Sequence, residues 1–305
     1  PSTEIEVSGA VITLKKLPNS KVEAIYSCDS WNIDTFSCDS GWKFFTNNFT
    51  DYGDYVSFET NHFSAFSGFL IAPSSSAATQ YNNQRKLVRN STDALFSVYQ
   101  NLSGNYSVIV SQSLNNGSTW TTLNTFSTNG TTQPNPSIAI DQYNALHIVM
   151  YNRTSGGVPG NVNVSYKRYN GTWLEVELEN GQSINPSPTI AVDSSNVLHS
   201  VWIRSDGVND DLHYSQSTNN GSTWSTPLDI TGDNNYLNPS LAINSTNGLI
   251  VVVHNDSAGT IVMYRCATSC TTGGNWAGET IVTDATSDFP NVIIDSNNVV
   301  HVVYE

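Results

Sequence analysis

Hydrophobic and polar positions recur along the second part of the chain at a spacing of 51 or 52 residues. Each repeat has a short run of β-branched residues, a polar turn and a second apolar run. The five segments are RKLVRNSTDALFSVYQ, PSIAIDQYNALHIVMY, PTIAVDSSNVLHSVWI, PSLAINSTNGLIVVVH and PNVIIDSNNVVHVVYE, beginning at Arg85, Pro136, Pro188, Pro239 and Pro290. Nearly the same spacing separates Trp120, Trp173, Trp224 and Trp276. Such periodicity indicates a repeat architecture.

Within a repeat, the pattern predicts four strands, called A, B, C and D here. In the second repeat, strand A is SIAI, strand B is HIVMY, strand C is NVSYK and strand D follows Trp173. Short Asn/Gly/Asp turns between such runs are typical of antiparallel meanders, and no stretch has the helical period. We therefore predict an all-β chain with the four-stranded blades of a β-propeller, at least four blades and a partial fifth. A β-solenoid is the alternative, although its coils are usually shorter.

Two octets, SLNNGSTW from Ser113 and STNNGSTW from Ser217, are nearly identical. They resemble the Asp-box, S-x-D-x-G-x-T-W, of sialidase-like (BNR-repeat) propellers, where it forms the turn between strands C and D. The matching residues are Ser113, Gly117, Thr119 and Trp120, and Ser217, Gly221, Thr223 and Trp224; Asn115 and Asn219 stand where the family has Asp. Gly allows a positive φ and Trp packs between sheets, so we expect the octets to fold blades and not to catalyse a reaction. The resemblance covers residues 85–305.

Residues 1–72 do not share the repeat, and their strand-like runs predict a small, disulfide-stapled antiparallel β domain. The stretch PSSSAATQ, residues 73–80, has the composition of a linker, and residues 81–305 hold the propeller repeats. The run CDSWNIDTFSCDSGW, followed by YVSFETNHFSAFSGF, resembles a module of secreted and surface-anchored archaeal proteins. It carries no catalytic motif.

The fifth repeat stops at Glu305, at the end of its strand B. Since propellers usually close within one chain, we expect the sequence to be a fragment of a longer propeller. The alternative is that another segment or subunit supplies the missing strands. An open β edge would then allow self-association.

Only 12% of the residues are charged and the formal net charge is -14, which disfavours nucleic acid as a partner. The cysteines form two local pairs, Cys28 with Cys38 and Cys266 with Cys270, which predict disulfides. A zinc site is the alternative, but it lacks C-x-x-C spacing. No apolar run approaches the roughly 20 residues of a membrane span.

Sequons for N-glycosylation are dense along the chain. The acceptors are Asn48, Asn90, Asn101, Asn105, Asn116, Asn129, Asn152, Asn163, Asn170, Asn220, Asn244 and Asn255. Together with the paired cysteines, they predict an extracellular or cell-surface location.

Strand directions place the A–B turns and the octets at one end of the blades. The B–C loops and D–A connections lie at the other end, which we call the B–C face, and we expect any ligand site there. Its candidate ligand-binding residues are Arg153, Arg204, Asp206 and Asp256, with Asp210 and Asp211 nearby. The sialidase resemblance implies an arginine cluster for a carboxylate, a Tyr nucleophile with a Glu partner, and an Asp acid. The Arg-Ile-Pro signature and a third arginine on this face are missing, so ordinary loop charges are the alternative.

Three histidines, His147, His199 and His301, occupy one repeat position, which is Phe96 and Ile250 in the other repeats. Because this position accepts apolar residues, we interpret it as structural and not as a ring of metal ligands. The repeated Asp141, Asp193 and Asp295, with Asn90 and Asn244, are interpreted as turn residues, since no dense D-x-D-x-D run supports a calcium site. We predict no metal and no cofactor.

The leading hypothesis is an extracellular, non-catalytic surface protein that serves adhesion, glycan binding or the assembly of a surface layer or filament. Its partners would be glycans or neighbouring surface proteins. The alternative is a sialidase-like glycoside hydrolase whose active site lies partly outside this sequence.

Overall fold

The computed structural model describes most of the chain after residue 84 and the backbone of seven short strands before residue 61. The described ranges of the later part are 85–102, 106–128, 133–153, 162–182, 187–205, 208–232, 235–283 and 288–304. The chain forms two compact units, residues 1–69 and 70–305. Helical structure in the described residues is limited to one 3₁₀ turn, Gly273–Asn275. The described residues therefore contain no helix long and apolar enough to cross a membrane.

The first unit contains short antiparallel sheets. Its strands are β1 (Ala10–Lys15), β2 (Ile25–Ser27), β3 (Trp31–Asn32), β4 (Ser37–Cys38), β5 (Lys43–Thr46), β6 (Thr50–Asp51) and β7 (Tyr55–Thr60). β7 pairs with both β1 and β6, β2 pairs with β5, and β3 pairs with β4. The predicted Cys28–Cys38 disulfide lies outside the described side chains.

The second unit is built from four-stranded antiparallel meanders in chain order. Blade 1 is β8 (Leu87–Arg89), β9 (Leu95–Asn101), β10 (Ser107–Ser113) and β11 (Thr121–Ser127). Blade 2 is β12 (Ser137–Ile140), β13 (Leu146–Arg153), β14 (Val162–Tyr169) and β15 (Trp173–Gln182). Each set corresponds to the strands A, B, C and D that the repeat pattern predicts.

The same meander recurs twice more and then begins again. Blade 3 is β16 (Thr189–Val192), β17 (Leu198–Ser205), β18 (Asp210–Ser217) and β19 (Leu228–Asp229). Blade 4 is β20 (Tyr236–Ile243), β21 (Leu249–Asn255), β22 (Thr260–Cys266) and β23 (Ala277–Val282). In blade 5 the described strands are β24 (Asn291–Ile294) and β25 (Val300–Val303). The prediction of an all-β chain with propeller blades is confirmed.

The hydrophobic core lies between successive blades. The A strands of neighbouring blades contact one another, and a separate apolar cluster fills each of the four junctions. Between blades 2 and 3, for example, Tyr166 and Trp202 are fully buried. Because each sheet presents residues i and i+2 to the same neighbour, alternate strand residues face the preceding and the following blade.

The A–B turns are stabilised by the repeated Asp or Asn. The Asp141 Oδ1 accepts hydrogen bonds from the backbone N–H groups of Tyr143 and Ala145, at 2.9 and 2.8 Å. Equivalent turns are built on Asn90, Asp193, Asn244 and Asp295. The structure thus places these residues in turns, where a short side chain caps the backbone.

The two octets form the turns between strands C and D. In the second octet, the Ser217 Oγ accepts from the Gly221 backbone N–H at 2.9 Å, and the Asn219 Oδ1 accepts from that of Thr223 at 2.9 Å. Asn at the third position therefore makes the backbone bond that a carboxylate could make. The first octet has the same bonds, formed by Ser113, Asn115, Gly117 and Thr119.

The Cys266–Cys270 disulfide lies where blade 4 has no octet. Cys270 also accepts, through its carbonyl oxygen, a hydrogen bond of 2.8 Å from the Trp276 indole N–H. Trp276 packs edge-on against Tyr214 of blade 3, with centroids 5.3 Å apart. The disulfide loop thus supplies the hydrogen-bond acceptor of the Trp276 indole, and Trp276 packs on blade 3 as Trp224 of the blade 3 octet packs on blade 2.

Candidate functional site

A partly buried carboxylate lies on the B–C half of the junction between blades 2 and 3. Glu179 is near the end of β15, and it meets strands B and C of blade 3. Its Oε2 accepts a hydrogen bond of 2.6 Å from the Trp202 Nε1–H and lies 3.2 Å from the His213 Nδ1. Its Oε1 lies 3.4 Å from the Arg204 Nε. We call these four residues the Glu179 cluster.

The Glu179 cluster is buried on one side and open on the other. Trp202 is fully buried, and the side chains of Glu179 and His213 are 15% and 7% exposed. The Arg204 side chain is 41% exposed, so the cluster reaches solvent at the guanidinium. The His213 Nε2 is buried and has no hydrogen-bond partner within the described residues.

Comparison of the blades shows that the Glu179 cluster replaces an apolar contact. Strand pairing places Glu179 opposite Val164, as Phe126 stands opposite Val108 in blade 1. Ile230 and Val282 hold the corresponding positions of blades 3 and 4. The equivalents of Trp202 are Met150 and Val253, those of His213 are Ser165 and Val262, and those of Arg204 are Asn152 and Asn255. Breaks in a repeated local pattern are expected at functional sites.

A second polar cluster lies on the B–C face between blades 4 and 5. The Asp288 Oδ1 accepts from the Asn238 Nδ2 at 2.9 Å and from the Phe289 backbone N–H at 2.7 Å. The His254 Nδ1 lies 3.2 Å from the same oxygen. His254 is buried and Asp288 is partly exposed, so this carboxylate is also held beside a histidine at the edge of the core.

Two cations stand at the start of the innermost strand of blade 1. The Lys86 Nζ donates to the Pro136 carbonyl of blade 2, and burial lowers the pKa of Lys86 to about 7. Burial also lowers the pKa of Arg85 from its ordinary value. Because D–A connections share an end with the B–C loops, both cations belong to the B–C face. Neither residue was among the predicted ligand residues, which were expected on the B–C loops and not at the starts of the A strands.

The predicted ligand residues do not come together as one group. Arg204 joins the Glu179 cluster, and Asp211 is its cross-strand partner on β18. The register assigns Asn152 to the position of Arg204, while Arg153, whose side chain lies outside the description, corresponds to Ser205. Asp256 is exposed in the turn after β21, where its backbone N–H donates to the Asn235 carbonyl at 2.8 Å. Asp206 is outside the described residues.

The repeated histidines bond to tyrosines of their own blades. The His147 Nδ1 lies 2.7 Å from the Tyr166 hydroxyl, and its Nε2 lies 3.3 Å from the Asp141 carboxylate. His199 has the same contacts with Tyr214 and Asp193, at 2.8 and 3.4 Å. Burial lowers the pKa of both histidines, although the neighbouring Asp raises it. Both rings are buried and make their contacts within their own blades, and in the described part of the chain no three His, Cys, Asp or Glu side chains are grouped to hold a metal.

The predicted glycan acceptors differ in accessibility. Asn116 and Asn170 are exposed in C–D turns. Asn163 is 2% exposed, and its Nδ2 donates to the Glu177 carboxylate at 2.8 Å, so a glycan on that nitrogen is incompatible with the folded chain. The Asn152 Oδ1 is also buried. Asn48, Asn105 and Asn129 lie outside the described residues.

No family model matches the sequence, and no curated protein matches it. Solved structures do match in fold. An α-L-arabinanase of Penicillium chrysogenum, complexed with arabinobiose, superposes with a TM-score of 0.58 at 10% identity, over 72% of this chain and 74% of that one. The GH93 α-L-arabinofuranosidase of Fusarium graminearum, also with arabinobiose, gives a TM-score of 0.54 at 16% identity, over 73% and 76%.

A sialidase, the Hadza microbial sialidase Hz136, gives a TM-score of 0.53 at 12% identity, over 98% of this chain and 82% of that one. All three are glycan-active propeller enzymes. At such low identity, the likeness establishes the propeller fold of this chain and nothing finer.

Proposed function

We propose that this chain binds a glycan on its B–C face and hydrolyses it there. The observation that carries the proposal is the Glu179 cluster, where an apolar interblade contact has become a fixed carboxylate beside a half-exposed arginine. The glycan-active enzymes that share the fold support the same substrate class.

Glycoside hydrolysis uses two carboxyl groups, one on each side of the scissile bond. Glu179 is the first in our proposal. Asp211 is the second, because it stands directly opposite Arg204 in the β17–β18 register, and cross-strand side chains begin about 5 Å apart. Arg204 would then lie between the two carboxylates and hold substrate hydroxyl groups as a donor.

The test is a hydrolysis and binding assay of the full chain with arabinobiose and with sialyllactose. Arabinobiose is the ligand of two structural neighbours, and sialyllactose represents the sialidase. Glu179→Gln and Asp211→Asn should each lower kcat by about 10² to 10⁴-fold while sugar binding remains. Glu279→Gln is the control, since this exposed residue pairs with Arg265 on the surface of blade 4.

Release of product by Glu179→Gln at the wild-type rate would contradict the assigned role. Binding of either sugar by the wild-type chain with no product would favour the second candidate. Absence of both binding and turnover for a wider panel of arabinan and sialic acid substrates would reject the proposed function.

The second candidate is a non-catalytic surface protein for adhesion, glycan binding or assembly. The exposed sequons at Asn116 and Asn170 favour this candidate, as does the low proportion of charged residues. An extracellular or surface location, partners among surface proteins, self-association through a β edge, and the kinship with BNR repeats and the archaeal module belong to this proposal. Mass before and after deglycosylation, with electron microscopy for filaments or sheets, would test it.

A further inference from the structure

A polar cavity of about 350 Å³ opens between blades 1 and 2. It lies at the interblade position that the Glu179 cluster fills in the next junction. Phe126, Met150 and Asn152 line it, and they correspond to Glu179, Trp202 and Arg204. Met150 stands where the next junction has the larger Trp202.

Charge is balanced inside this cavity. The Lys167 side chain is 6% exposed, and its Nζ donates to the Glu175 Oε2 at 2.6 Å. The same Nζ lies 5.4 Å from the centroid of the Phe126 ring. Since the ammonium is already neutralised by a carboxylate and by the ring face, the cavity offers no spare positive charge to an anion.

The cavity wall contains an acceptor that lacks a donor. The Asn152 Oδ1 is buried and has no hydrogen-bond partner within the described residues. A buried amide oxygen without a partner costs free energy, and a ligand hydroxyl would remove that cost once the half-buried Asn152 side chain rotates toward the cavity. Asn124 and Ser127 add polar groups around the rim, Phe126 supplies a small apolar surface, and the fully buried Met150 lies behind it.

We propose that this cavity is a binding site for an uncharged sugar ring, separate from the Glu179 cluster. The volume lies at the lower end of the range for small-molecule pockets and suits one monosaccharide unit. Polar side chains beside a small apolar wall are the groups that recognise hydroxyl and C–H surfaces of a sugar together. Balanced charge selects a neutral sugar over a uronic or sialic acid. The site does not depend on hydrolysis elsewhere.

The chain offers a direct probe because it has two methionines, Met150 in the cavity and Met263 in the junction between blades 4 and 5. The full chain is labelled with ¹³C-methyl methionine and titrated with L-arabinose, D-galactose and D-galacturonic acid. Met150→Leu assigns the two signals. The Met150 signal should move with arabinose or galactose, that of Met263 should remain in place, and galacturonic acid should bind no more tightly than galactose.

Ser127→Trp fills the cavity from an exposed position of β11, and Thr121→Trp is its control at an exposed position of the same strand outside the cavity. The first should weaken the Met150 response at least 10-fold and the second should not. Asn152→Leu, which removes the acceptor but keeps the size, guards against misfolding of the tryptophan variant. A fixed Met150 signal with every sugar, tighter binding of galacturonic acid, or binding unaffected by Ser127→Trp and Asn152→Leu would overturn the assignment. The Met150 response should persist in Glu179→Gln, which separates this site from the proposed catalytic one.

Discussion

Trp224 of blade 3 packs edge-on against Tyr166 of blade 2, with ring centroids 5.0 Å apart. The Tyr166 hydroxyl in turn bonds to His147, so the octet of one blade is connected to the A–B turn of the preceding blade. The octet glycine completes this contact. A Cβ at Gly221 would lie 2.1 Å from the Tyr166 hydroxyl oxygen, and the φ of Gly221 is +78°. The octet is therefore also an interblade contact.

Gly221→Ala should destabilise the protein more than Gly117→Ala. Both glycines have positive φ, which costs an L-residue about 1–2 kcal/mol. At Gly117 the added methyl would meet only Leu95 and Trp120, at 3.7 and 4.0 Å. At Gly221 the clash with Tyr166 adds about 1–3 kcal/mol. Urea unfolding of both variants measures the difference, and equal losses would show that the Tyr166 contact is not significant.

Acid should destabilise the folded chain through His147 and His199. Burial lowers the pKa of both imidazoles in the folded state, so the unfolded chain binds more protons once the pH falls below about 6.5. Their contribution to stability is therefore complete above that pH and declines below it. His147→Phe with His199→Phe, which copies Phe96 of blade 1, should flatten the dependence of Tm on pH between 5 and 7. Exposed His301→Phe is the control, and an unchanged slope in the double variant would contradict the assignment.

The sequence was sufficient to predict the repeat and its strands because each A–B turn uses one Asp or Asn at a fixed distance from apolar runs. In blade 2, the expected SIAI, HIVMY and NVSYK segments fall within β12, β13 and β14. These features are local, and their physical cause is local: a capping side chain, a left-handed Asn such as Asn144, and alternation along the strand.

The Glu179 cluster could not be found in the same way. In blade 2, the pairing of strand D with strand C shifts register next to Val164. In blade 3, strand D is only two residues long, Leu228–Asp229. Spacing alone therefore could not align Glu179 with Phe126 and Ile230. The sequence does show that Trp202, Arg204 and His213 differ from the residues at the same positions of the other repeats. These differences point to one site only when it is known which face of each strand packs against the preceding blade.

Loss of the Cys266–Cys270 disulfide should lower stability modestly. The bond closes a very short loop, with a sequence separation of 4, and chain entropy for such a loop gives about 2 kcal/mol. Cys266→Ala with Cys270→Ala should lower the free energy of unfolding by that amount, since both residues are buried and alanine leaves no unpaired thiol. Urea unfolding checks the value. A loss several times greater would mean that the disulfide also positions Trp276 and the core of blade 4.

In most blades, an Asn of the A–B turn forms hydrogen bonds with the A–B turn of the preceding blade, but the Asn196 turn of blade 3 lacks these bonds. In blade 4, Asn247 accepts from the Ser194 backbone N–H at 3.2 Å and donates to the Ser195 Oγ at 3.0 Å in blade 3. The equivalent Asn196 faces blade 2, where Gln142 holds the position of Ser194, and its Oδ1 has no partner within the described residues. The Ser194 hydroxyl also donates to the Asn247 Oδ1 at 2.7 Å, a bond for which Gln142 has no hydroxyl, and Tyr143 replaces Ser195 at the next position.

Gln142→Ser should therefore stabilise the protein by about 0.5–1.5 kcal/mol, the net value of a hydrogen bond. The gain requires Asn196, so it should vanish in the background of Asn196→Gly, which retains the positive φ of that residue (65°). By the same reasoning, Asn247→Gly should cost about 1 kcal/mol, and Asn196→Gly alone should be nearly neutral. A double-mutant cycle by urea unfolding measures all four values. If Gln142→Ser stabilised the chain equally with and without Asn196, the gain would come from the turn itself and not from contact between blades.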